Sequence, residues 1–219
     1  MGIFEYLGVL ISVVMGLGVT HLAVGASKLV QNRDRCKPSL THSLWTVFML
    51  MYIVIVWWGM YWWSNHTDWL NYEYLFITAY ALILFFLSAL LFPHDMDKDI
   101  DAEAYFFKQR RWFFSFLIVA WLLDIPETLL KSEGGLRELP SDYFVFIAIQ
   151  LSIAIAGLVT DNRKVHVALP IVALLGVFAI TRQTTMSVIA NQRCSLVRAS
   201  RFSASSCPAP RKVCSENNL

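Results

Sequence analysis

Charge is what this chain has least of. Asp, Glu, Lys and Arg make up 16% of its 219 residues, against 57% that are hydrophobic. A soluble domain of that length needs more polar surface to cover its core, so the ordinary globular classes are excluded. The net charge is only +2. Lys and Arg are spread over the connections rather than along one face, which excludes nucleic acid as a partner. There is no C-x-x-C, no H-x-x-x-H, no H-E-x-x-H and no pair of His on one apolar segment. The sequence patterns of a quinone-linked disulfide enzyme, a helical zinc site and a bis-His haem are therefore missing. Met1–Tyr6 carries Glu5 but neither Lys nor Arg, so the first apolar stretch is expected to stay in the chain as a spanning helix.

What the chain has instead is length in apolar runs. Six segments, 3–24, 43–63, 70–92, 112–130, 143–160 and 165–186, are each about long enough at helical rise to cross the hydrocarbon core. The expected fold is all-α, a transmembrane bundle of six helices over residues 1–190, with the lipid bilayer as its solvent. Pro38, Pro93, Gly134-Gly135 and Pro140 mark the breaks between segments. Asp161-Asn162 begins a turn so short that the last two helices should form an antiparallel hairpin.

Basic residues orient the chain. The first, third and fifth connections hold ten Lys and Arg: Lys28, Arg33, Arg35, Lys37, Lys98, Lys108, Arg110, Arg111, Arg163 and Lys164. The second connection, Ser64–Trp69, holds none. The fourth, Lys131–Asp142, dilutes its two with Glu133, Glu138 and Asp142. The positive-inside rule then puts the first, third and fifth connections in the cytoplasm and both termini outside. The stretch Tyr105–Trp112 interleaves aromatics with cations and reads as an anchor at the cytoplasmic interface.

The tail, 191–219, differs from the rest. It is rich in Ser, Arg, Pro and Cys, and it holds Cys194, Cys207 and Cys214, three of the four cysteines. It has no apolar periodicity and is expected to be disordered. Two readings fit: a periplasmic tail with one disulfide, or an out-of-frame translation that replaces the native end. The abrupt change of composition near Asn191 favours the second.

Ionisable groups inside a membrane are costly and mark function by default. The threading places Glu5, Glu73, Asp124, Glu127 and Arg182 in the outer third of the layer, as a candidate polar cluster. Asp124 and Glu127 are three apart and share a helical face. The apolar run Trp112–Leu123 is too short to span alone. The fourth helix therefore either takes in Asp124–Leu130 or begins at Tyr105, with Lys108, Arg110 and Arg111 snorkelling. Buried, the carboxylates would need a cation, and Arg182 is expected at their depth.

Thr20, His21, His42 and His94 form a candidate cluster on the inner side, where a transition metal or haem would find imidazole ligands. Trp57, Trp58, Trp62 and Trp63 end the second segment and form either an aromatic belt or a pocket for a lipid tail, quinone or cation. In the first segment Ser12, Gly16 and Thr20 recur every four residues, with Gly18, His21 and Gly25 on a neighbouring face. Small residues at this spacing admit a second helix, within the bundle or in a homo-oligomer. Gln150 is a lone polar group expected to bond across helices.

Gly16–Leu22, His42–Trp45, Trp57-Trp58 and Arg110–Phe114 together resemble a group of small bacterial inner-membrane proteins with no assigned function. The resemblance covers about 1–189 and implies a bacterial inner membrane, without a substrate or cofactor. Three classes of function remain: an ion or small-molecule binding and transport-like bundle, a metal- or haem-dependent membrane enzyme, and a non-catalytic scaffold or sensor subunit. The short loops leave little room for catalytic loops, which puts the transport-like class first.

Overall fold

A computed structural model describes residues 3–32, 37, 39–65, 69–93, 101–131 and 140–202. The elements are α1 (Ile3–Gln31), α2 (Leu40–Gly59) followed by a 3-10 helix (Met60–Asn65), α3 (Asn71–Leu91), α4 (Ala102–Lys131), α5 (Ser141–Val159) and α6 (Arg163–Phe202). Six helices are long and apolar enough to cross a membrane, and no β-strand occurs among the described residues.

The chain divides into two compact units, Met1–Val177 and Phe178–Leu219. The first is the bundle. α3 lies at its centre, against α1, α2 and α4, and α4 carries α5. The second unit holds the rest of α6, which is helical to Phe202, past the point where disorder is expected from composition. Residues 203–219 lie outside the described residues.

Successive helices alternate in direction, and side-chain contacts fix the two ends. At one end Phe4 stacks on Trp69, and Trp63 reaches Glu127. At the other, His42 reaches Leu91, and Arg163 pairs with Glu103. A backbone bond from Ala102 N–H to the Lys37 carbonyl ties the first and third connections together at that same end.

α4 resolves the alternative left by its short apolar run: it begins early and also takes in Asp124–Leu130. Its 30 residues reach about 45 Å at helical rise, longer than a hydrocarbon core. Lys108, Arg111 and Trp112 are exposed, as an interfacial anchor requires. Arg110 does not snorkel. It is buried, because its guanidinium finds the Thr160 carbonyl at 2.8 Å and the Asp161 carboxylate, and its plane lies over Phe107.

Between the two ends lies a buried aromatic layer. Trp45 is fully buried and meets Phe48, Phe106, Phe113 and Phe114. Two glycines allow close approach to rings. Phe92 lies so close to Gly25, and Phe114 to Gly157, that a Cβ at either glycine would clash with the ring.

The small residues of α1 divide accordingly. Gly18 takes the Ser88 side chain of α3 and Gly25 that of Phe92 just after it, with His21 between the two glycines in sequence. Ser12, Gly16 and Thr20 are exposed, and among the described residues nothing beyond the helix's own neighbouring backbone lies within 4 Å of a Cβ at Gly16. Close packing inside the bundle therefore uses the Gly18 face and not the Gly16 face. Gln150 crosses to α6 as expected, donating to the Ala173 carbonyl at 3.0 Å.

Candidate functional site

Asp124 is the junction of a polar network that reaches four helices. From α3, the Tyr80 hydroxyl donates to Asp124 Oδ1 at 3.4 Å. From α5, the Tyr143 hydroxyl lies 3.0 Å from Asp124 Oδ2 and 3.1 Å from the Asp124 backbone carbonyl. From α2, the Tyr52 hydroxyl meets that of Tyr80 at 3.1 Å. All three tyrosines are buried and Asp124 is half-buried. One turn along α4, Glu127 accepts from Trp63 Nε1 at 3.1 Å and pairs with Lys131, whose ammonium also lies over the Trp63 ring.

The helices position these groups for simple reasons. Asp124 and Glu127 share a face at i,i+3, and Lys131 follows Glu127 at i,i+4, the favourable order for an ion pair on a helix. Pro126 lies between the carboxylates and cannot donate to the Leu122 carbonyl, which loosens the helical ladder beside the site. The N-cap position of α5 is Pro140, so Tyr143 sits in its first turn, level with Asp124.

The charges do not balance. Two carboxylates face one ammonium, and that ammonium is taken by Glu127. Asp124 is held only by neutral hydroxyls, and among the described residues no Lys or Arg forms an ion pair with it.

Glu73 is buried at the start of α3, where it accepts the Leu70 backbone N–H at 3.0 Å; Leu70 has no acceptor with which to return the bond. Glu5 is exposed in the first turn of α1. Arg182 is exposed and belongs to the second unit. The four tryptophans separate: Trp63 is buried in the Glu127 site, whereas Trp57, Trp58 and Trp62 are exposed in the manner of a belt.

At the opposite end the imidazoles behave differently. His42 Nε2 lies 2.7 Å from the Leu91 carbonyl, the last of α3, and His166 Nε2 lies 2.8 Å from the Thr160 carbonyl, just after α5. Each occupies a carbonyl that the end of a helix leaves free. His21 and His42 both pack against Phe92, with His21 Nε2 and His42 Nδ1 buried and unpartnered. Thr20 is exposed, and His94 lies outside the described residues. Among the described residues no three His, Cys, Asp or Glu converge as a metal site would need.

A surface groove of about 470 Å³ lies over α5 and Leu169 of α6. Its lining is apolar apart from Ser152, which suits an acyl chain and not a polar solute.

Sequence reasoning missed Tyr52, Tyr80, Tyr143 and Lys131. A signal for two of them was present. Tyr52 and Tyr80 fall mid-helix, away from the interface that tyrosine prefers, and a buried phenol needs a partner. Lys131 reads as a loop residue because it follows the last apolar turn.

No protein-family model, curated protein or solved structure matches this chain.

Proposed function

We propose that this integral membrane protein binds a cation or small polar solute at the Asp124 cluster and works as a transport-like bundle. One observation carries the reading: a carboxylate on a helix long and apolar enough to span a membrane is held by two tyrosine hydroxyls and, among the described residues, forms no ion pair with Lys or Arg. Charge placed in a membrane is costly unless paired, so such a group marks a binding or permeation site. The aromatic layer under the cluster separates it from the opposite end of the bundle, as a barrier in a transporter must.

The test is flux. Purified protein in liposomes is given gradients of sodium, potassium and protons, each followed with a selective dye. The expected result is that one gradient decays faster than in empty vesicles and that Asp124→Asn abolishes the difference. Wild-type vesicles as tight as empty ones to all three would overturn the transport reading and move the scaffold role to first place.

The distribution of basic residues supports both termini outside, in the inner membrane of a bacterium. Reporter fusions after Thr41, Asp68 and Glu133 should read inside, outside and outside. The exposed Ser12, Gly16 and Thr20 face supports a homo-oligomer through α1. A second reading, a metal- or haem-dependent enzyme, rests on the unpartnered nitrogens of His21 and His42 around Phe92. Elemental analysis of the purified protein decides it: a stoichiometric metal that is lost in His42→Ala supports that reading, and a metal-free chain ends it.

A further inference from the structure

Tyr143 has one hydrogen and, on Asp124, two acceptors within reach, Oδ2 at 3.0 Å and the backbone carbonyl at 3.1 Å; its hydroxyl also bonds the Thr128 side chain. While Asp124 is a carboxylate, the hydrogen can sit on Oδ2. If the hydroxyl turns toward the carbonyl, its own lone pair faces Oδ2 and can accept a hydrogen from it. Nothing else in the network has to change: Tyr80 still donates to Oδ1, and Tyr52 still donates to Tyr80. Both protonation states of Asp124 therefore leave the hydrogens of Tyr52, Tyr80, Tyr143 and the acid itself with an acceptor, where one unmatched buried donor costs about 1–3 kcal/mol.

We propose that Asp124 takes up and releases a proton, and that Tyr143 is the positioning residue that turns its hydroxyl to permit this. The inference rests on the reading of the Asp124 cluster as the cation site and names the cation. The step is a proton transfer alone. An O–H bond of hydronium breaks, an O–H bond forms at Asp124 Oδ2, and no electrons change hands. The proton enters from the start of α5, where Ser141 and Asp142 are exposed.

The groups facing Asp124 are Tyr52 of α2, Tyr80 of α3, Glu127 and Lys131 of α4, and Tyr143 of α5. Uptake changes the formal charge of the two carboxylates and one ammonium from minus one to zero. A metal ion fits less well. Hard cations such as Mg²⁺ and Ca²⁺ need about six or more oxygen ligands. Here both carboxylate oxygens already face phenol hydrogens, and Glu127 is taken by Lys131.

Infrared difference spectra of the purified full chain, recorded as the pH is lowered, read the carbonyl stretch of a neutral carboxylic acid directly. One such band should appear, shift when aspartate is isotopically labelled with carbon-13, and vanish in Asp124→Asn. In Tyr143→Phe the band should persist but move to higher frequency, because the acid O–H has lost its acceptor. The aspartate label tests the assignment in wild-type protein even if Asp124→Asn does not fold. No titrating aspartic-acid band, a band that survives Asp124→Asn, or a band unmoved in Tyr143→Phe overturns the inference. Sodium or potassium flux that depends on Asp124 without any such band would keep the cation site and remove the proton. Vesicles tight to all three ions would remove the transport reading itself, whatever the spectra show.

Discussion

At the histidine end of the bundle, His42, His166 and Arg110 each reach a backbone carbonyl that a helix end leaves open. At the carboxylate end, Tyr52, Tyr80, Asp124 and Tyr143 reach mostly one another. Both sets are buried polar groups in an apolar bundle. The difference lies in what satisfies them. A side chain that caps a carbonyl answers a need the fold creates. A side chain bonded to other side chains answers no need of the backbone. Apolar residues could replace the whole set at little cost to the fold. The carboxylate end is therefore where function is to be sought, and the histidine end is where the helices are tied.

That contrast can be broken by experiment. The largest effect is expected from Glu127→Ala, which removes the buried carboxylate that pairs with the half-buried Lys131 and accepts from Trp63 Nε1. Breaking a buried pair in this way costs about 3–5 kcal/mol, and Glu127→Gln should cost clearly less. Unfolding in detergent, followed by circular dichroism, reads both. A next-largest loss, about 1–3 kcal/mol, is expected for Gly157→Ala, since the new methyl meets the buried Phe114 ring. His166→Leu should cost only about 1 kcal/mol, because Arg110 still serves the Thr160 carbonyl, and ion flux should be unchanged. A loss of flux there would mean that the histidine end does more than tie helices.

Tyr80→Phe sharpens the comparison from the other side. It should cost about 1–3 kcal/mol in stability, since the buried Tyr52 hydroxyl loses that acceptor, and reduce Asp124-dependent flux, since it cuts Tyr52 from Asp124. The smallest effect is expected from Gly16→Ala, within about 0.5 kcal/mol, because among the described residues nothing beyond the helix's own backbone lies near the added methyl. If that variant changes the size-exclusion profile while stability holds, the exposed α1 face joins copies of the chain.

Much of the fold could be read from residue order. The six apolar runs and the turn residues between them foretell six helices, and the brevity of Asp161-Asn162 foretells the last hairpin. Helix ends were less legible. Gln31 and Ala102 extend their helices past the apolar runs, because polar residues lengthen a helix outside the hydrocarbon without leaving a hydropathy signal.

The site was legible in part. Asp124 and Glu127 stand out because carboxylates in apolar helices are costly. Their partners do not stand out. Tyrosine, tryptophan and a terminal lysine are ordinary membrane-interface residues, and only depth and neighbours give them another role. Arg182, the cation expected from threading, lies in the second unit, whereas Glu127 is served by Lys131 from its own helix.

What the sequence by itself determined is the solvent, the helix count and the presence of intramembrane charge, because each follows from local composition and a fixed rise per residue. Which glycine face packs, which tryptophan is buried, and which hydroxyls meet Asp124 were decided only by tertiary structure. Those outcomes depend on the rotation of each helix about its axis, and a contact such as that between Tyr52 and Tyr80 joins residues on different helices that no local pattern connects.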